Sequence, residues 1–186
     1  TRDLPSLVTW GLRLPDLVLP RYHPIPIWER FSQEHYFSNG ALINENQLAF
    51  LGIVGIATLA SLIVVALING LRGRWVKVPA ESWVIGYVLL FALVGGLNYL
   101  LGSFGFVWLR GGNRYSIVIL CLALIWATRF CSSCLPRAAR GALAAVLIGI
   151  GLWEAYTSRP VWFFREQQAA EARAGSDRDF ANQLQQ

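Results

Sequence analysis

Two arginines stand in front of an apolar run in the stretch LRGGNRYSIVIL, residues 109 to 120, where Arg110 and Arg114 flank Gly111, Gly112 and Asn113. A guanidinium carries a permanent charge and a planar fork of N–H donors that matches a phosphate, and glycines let backbone come close to a bound group. Arg114, directly after Asn113, therefore reads as a phosphate ligand with Asn113 as its hydrogen-bonding neighbour. Arg110 fits two roles equally: the same phosphate, or a headgroup anchor that caps carbonyls at the end of the preceding helix. A second polar cluster, Asn44, Glu45 and Asn46, comes just before another apolar run. It suits a helix N-terminus, where Asn and a carboxylate are favourable, and equally a hydrogen-bonding patch facing the same compartment as Arg114.

The other chemistry-bearing residues say less. His23 and His35 are the only histidines, with no Cys nearby and no ligand spacing, so a structural or solvated role is expected and no metal site. Cys131 and Cys134 form a CxxC in RFCSSCLPR without a second pair of ligands, and Cys121 sits inside an apolar run as a small hydrophobe. No P-loop, dinucleotide-binding glycine pattern or nucleophile elbow is present, so no cofactor is expected. The net charge of +5 comes mostly from two short loops, which does not suggest nucleic-acid binding.

The elements that must position these residues belong to a membrane protein. Of 186 residues 55% are hydrophobic and only 15% charged, against roughly 25% charged in a soluble domain, and the mean hydropathy is +0.45. Residues 48–68 run 21 residues without a charge, long enough for a hydrocarbon core of about 30 Å. Residues 82–101, 115–128 and 141–156 give three further spans, the last two short and the last carrying Glu154 near its end. The expectation is an all-α membrane protein with four transmembrane helices, a Pro-rich outer arm (residues 1–47) and a helical outer tail (residues 157–186).

Charge sets the expected orientation in the plasma membrane. The loop over residues 69–81 holds Arg72, Arg74 and Lys77 against Glu81, and that over 129–140 holds Arg129, Arg137 and Arg140 with no acid, so both are expected inside. The arm balances four Arg against five acids and the tail four against four, which places both termini on the extracytoplasmic side. Trp75, Trp83 and Trp126 then fall at the inner boundary and Trp108, Trp153 and Trp162 at the outer one, as interfacial belts. In the arm, Pro5, Pro15, Pro20, Pro24 and Pro26 forbid a long helix, although residues 26–37 suit a short one with Pro26 in its first turn. In the tail, Ser176 followed by Asp179 resembles a capping box opening a short helix. The chain begins at Thr1 and holds no Met, so further helices are expected upstream, and a soluble domain after the tail.

The order WGLRLPDLVLPRYHPIPIWERF, LINENQLAFLGIVG, GGLNYLLGSFGFVWLRGGNRYSIVILCLALI, GLWEAYTSRP and SDRDFANQL resembles the latter part of large bacterial polytopic membrane proteins of the sugar-translocase or C-type (GT-C) glycosyltransferase-like kind. The resembling patterns are Asn44, Glu45, Asn46, Leu51 and Gly52 ahead of the first span, and Arg110, Asn113 and Arg114 ahead of the third. The chain departs from its relatives at Gly111 and Gly112, where they often carry bulkier residues. The resemblance implies a polyprenyl-phosphate-linked sugar as partner, besides membrane lipid, and an active region on the outer face. It also implies that the catalytic acids come from a first outer loop not contained here, so neither Asp16 nor Glu45 is taken as a catalytic base. Enzyme and non-enzymatic translocase, or a scaffold segment, stay open on these grounds.

Overall fold

A computed structural model describes residues 4–9, 11–38, 49–106 and 114–157, and every helix in that set is α-helical in type apart from short 3-10 and π turns. Among the described residues three helices are long and apolar enough to cross a membrane: α4 (Gly52–Leu71), α7 (Tyr115–Cys134) and α8 (Arg137–Thr157), of 20, 20 and 21 residues. At about 1.5 Å per residue each is about 30 Å long. Three short helices precede them in the arm: α1 (Leu4–Thr9), α2 (Leu14–Val18) and α3 (Pro26–Ser32), the last prolonged by a π turn over Gln33–Phe37. Pro15 and Pro26 sit in the first turns of α2 and α3, where a missing N–H costs nothing.

The expected second span differs. Instead of one helix over 82–101 the chain forms α5 (Ala80–Ala92), breaks, and resumes as α6 (Leu97–Ser103), so it supplies one shorter apolar helix and a further stub rather than a fourth long span. The cause lies in Leu93–Gly96. Leu93 is extended, at φ −61° and ψ 148°. Gly95 adopts φ +76°, and a Cβ on Gly96 would lie 2.3 Å from the Leu90 carbonyl oxygen. Only glycine fits there. The unwound backbone is satisfied from the arm: Leu12 N–H donates to Ala92 O at 2.9 Å, and Val94 N–H donates to Leu12 O at 3.0 Å. In an apolar setting such pairing is what permits a helix to break, because an unpaired peptide group costs several kcal/mol.

The third and fourth spans are longer than the expected 115–128 and 141–156. The expected inner loop over 129–140 shrinks to Leu135 and Pro136, with Leu135 extended ahead of the proline. Arg129, Cys131 and Cys134 thus belong to the last turns of α7, and Arg137 and Arg140 to the first of α8.

The core forms where α7 meets α4 and α5. Ile119, Ala123 and Trp126, spaced by four and three residues, make one buried stripe that clusters with Leu59 and Leu62 of α4 and Ile85 of α5. Trp126 belongs to this core and stacks on Phe130 at 5.2 Å, whereas Trp75 and Trp83 are well exposed. At the far end of this stripe Arg129 donates to Glu81 Oε1 at 2.7 Å. Outside the core, the described residues cover little of the long helices, least of all α8. The tail after Thr157, with Ser176 and Asp179, and the outer Trp108 and Trp162 lie outside the described residues.

Candidate functional site

Sparse cover on α8 leaves a groove of about 900 Å³ between α8, α7 and the start of α4. On α8 its lining recurs every three or four residues, through Arg140, Leu143, Leu147, Gly151 and Glu154, so one helical face makes the wall. Leu120, Leu124 and Ala127 of α7 face it, and Val54 and Gly55 of α4 close one end. From Arg140 to Ala155 the wall rises about 22 Å at the helical rise per residue, which suits an elongated apolar chain better than a compact polar solute.

The polar end is built around Glu154. Its carboxylate accepts Ile53 N–H at 3.0 Å and 3.2 Å on its two oxygens, and His23 Nε2 at 3.1 Å. His23 Nδ1 accepts Ile25 N–H at 3.0 Å, so the ring is the neutral tautomer with its proton on Nε2, donating to the carboxylate. The contact is therefore a hydrogen bond to a charged acceptor rather than an ion pair. His23 is packed between Trp28 and Phe50, ring centroids 4.7 and 5.9 Å away, and its side chain is fully buried. The expected structural role for His23 is thus what its surroundings show.

Glu154 caps α4 from another helix. Ile53 is in the first turn of α4, whose free N–H groups and dipole favour an anion. Gly52 makes the approach possible: it adopts φ +75°, and a Cβ there would stand 2.9 Å from Glu154 Oε2. Leu51 N–H is in turn held by Leu17 O at 3.1 Å. One carboxylate joins α8, α4 and the arm, and with its donors in place it acts as a clamp and not as a free base.

Arg21 lies at the same end of the groove. It also lines a separate small cavity of about 330 Å³ with Gln33, Glu34, Phe37 and Ser38. Its guanidinium lies 5.3 Å from the centroid of the Tyr22 ring, and its carbonyl accepts the Gln33 side-chain amide. Also in the arm, Asp16 is buried and accepts a hydrogen bond from the Tyr36 hydroxyl at 2.9 Å on Oδ1, while Oδ2 has no hydrogen-bond partner among the described residues. Burial raises the Asp16 carboxyl above its ordinary value, and burial with the neighbouring carboxylate pushes the Tyr36 hydroxyl up to about 12.

Of the residues singled out from sequence, Arg114 stands immediately before α7, exposed and absent from the groove lining. Arg110, Asn113, Asn44, Glu45 and Asn46 lie outside the described residues. Sequence reasoning passed over Arg21, which looks like any interfacial arginine. Glu154 had a signal, a lone acid inside an apolar run, but its partner is 131 residues away. Among the described residues no group of His, Cys, Asp and Glu has the arrangement to hold a metal. A scan against protein-family models gave no match, nor did searches of curated proteins and of solved structures.

Proposed function

We propose that this chain is the lipid-handling part of an integral membrane GT-C-like glycosyltransferase that accepts a polyprenyl-phosphate-linked sugar at the outer face. The observation that carries the reading is the groove along α8: long, apolar and polar only at its ends. In this reading the isoprenoid tail lies between α7 and α8 and the phosphate at the Glu154 end, which faces outward with the arm. In the same reading Arg114 and Arg110 neutralise the phosphate, while Asn113 and Glu45 hydrogen-bond the sugar or order the loop. Stabilising a departing phosphate is work a fixed cation performs without acting as a nucleophile. Because the groove continues to Arg140 at the opposite end, passage of a lipid-linked glycan by a translocase is the second reading.

Photo-crosslinking with a diazirine-bearing polyprenyl phosphate in membranes tests the groove. Label is expected on Leu124 and Leu147 and little on Val64 and Leu67, exposed residues of α4 that do not line it. Equal labelling of both sets sinks the proposal. Release of free polyprenyl phosphate from the loaded carrier separates enzyme from translocase, and Arg114→Lys, which keeps charge but loses the fork, is expected to reduce it strongly. For orientation, an impermeant thiol reagent added to intact cells should not reach Cys134; reaction from outside overturns the assigned sidedness.

A further inference from the structure

We infer that Arg21 is a headgroup ligand joining two compartments of one amphiphile site: the apolar groove for the tail and the small cavity beside the π turn for the sugar. The inference rests on the groove reading proposed above and adds the place of the headgroup. Arg21 lines both cavities, the larger of about 900 Å³ with apolar walls and the smaller of about 330 Å³ walled by Gln33, Glu34, Phe37 and Ser38. A single-chain phospholipid-sugar has the same order of parts, tail, phosphate and sugar.

The charges around Arg21 fit that order. No ion pair to Arg21 occurs among the described residues, and its guanidinium is held against the Tyr22 ring, so its donors are available to a phosphate. The nearest acid of the groove, Glu154, already accepts Ile53 N–H and His23 at the start of α4, where a negative charge is favoured. Glu34, in the smaller cavity, is exposed and offers a carboxylate to sugar hydroxyls. Gln33 fixes the backbone of Arg21 by donating to its carbonyl, so the cavity wall and the cation are one unit.

The test uses the protein reconstituted in nanodiscs and three tritiated probes: polyprenol, polyprenyl phosphate and polyprenyl phosphoglucose. Gly151 lines the groove and a Cβ there meets nothing within 4 Å, so Gly151→Leu places a branched side chain in the space the tail would occupy. It should weaken all three probes tenfold or more. Arg21→Ala should weaken the two phosphate-bearing probes about tenfold and leave polyprenol unchanged, with Arg21→Lys in between. Glu34→Gln should weaken polyprenyl phosphoglucose alone. If Gly151→Leu leaves all three unchanged, the groove reading itself fails. If Gly151→Leu blocks binding while Arg21→Ala binds as wild type and Arg114→Ala does not, the groove stands and Arg21 is overturned. Displacement of polyprenyl phosphate by an equal concentration of phosphatidylglycerol would likewise overturn it, because the site would then hold ordinary bilayer lipid.

Discussion

Replacing Glu154 by alanine removes the clamp between α8, α4 and the arm, and the structure allows the cost to be worked out. Two donors lose a charged acceptor: Ile53 N–H, at 3.0 Å from the nearer oxygen, and His23 Nε2–H, at 3.1 Å. Each hydrogen bond to a charged group contributes about 1.5–3 kcal/mol, and stranding a buried donor adds to the loss. With two such bonds lost and their donors left unpaired, about 3–5 kcal/mol is expected for Glu154→Ala. Glu154→Gln retains an oxygen that can accept from His23 and Ile53, so about 1–2 kcal/mol is expected, the charge assistance alone. His23→Ala should be destabilising too, and the double variant with Glu154→Ala less so than the sum, by about 1–2 kcal/mol of coupling. Reversible unfolding in mixed micelles, followed by tryptophan fluorescence, measures all four. If Glu154→Ala lies within about 0.5 kcal/mol of wild type, below the cost of any buried unpaired donor, the clamp is not a structural element and the reasoning fails.

Three further outcomes are expected. Gly96→Ala should be among the most damaging single substitutions, because its Cβ would press on the Leu90 and Leu93 carbonyl oxygens at 2.3 and 2.9 Å; unfolding midpoints would show it, and a neutral result would mean that the break is not fixed by glycine. Arg129→Ala should cost about 1–2 kcal/mol, since its own side chain is 73% exposed and screened by solvent while Glu81, at 10%, loses a donor to a buried carboxylate; a loss within about 0.3 kcal/mol of zero would mean that the pair contributes nothing. Asp16→Asn should change the pH dependence of stability. The Asp16 carboxyl is raised from 3.8 by burial, so the folded state holds the proton more tightly than the unfolded chain. Stability linked to that proton is full below about 4 and is lost as pH rises through the raised value, so wild type should fall relative to Asp16→Asn over that interval. A constant gap between the two from acid to neutral pH would refute burial as the cause.

Hydropathy alone locates α4, α7 and α8 because runs of leucine, isoleucine, valine and alanine leave no alternative for a backbone that must satisfy itself in an apolar medium. Helix ends were less legible. Arg129, Ser132 and Ser133 after Thr128 look like a loop by hydropathy, yet arginine propagates a helix well and the helix runs on through the serines to Cys134, just before Pro136. The break in the second span left a trace in Gly95 and Gly96, but glycines are common in membrane helices, and the partner that satisfies the unwound backbone is Leu12, some eighty residues earlier. The same holds for the polar end of the groove. His23 and Glu154 are visible as isolated ionisable residues, while their pairing depends on how the arm folds over the start of α4. Arg21 carries no local signal at all, since its position between two cavities is a property of packing.

The parallel pairing of Leu12 with Ala92 and Val94 has a consequence for assembly. A helix interrupted between Ala92 and Leu97 cannot settle in an apolar surrounding on its own, because the exposed Ala92 carbonyl and Val94 N–H need a partner. That partner is synthesised first. By the time residues 93–96 leave the ribosome, Leu12 has long since emerged, so the arm serves as an internal template that waits for the later segment to arrive.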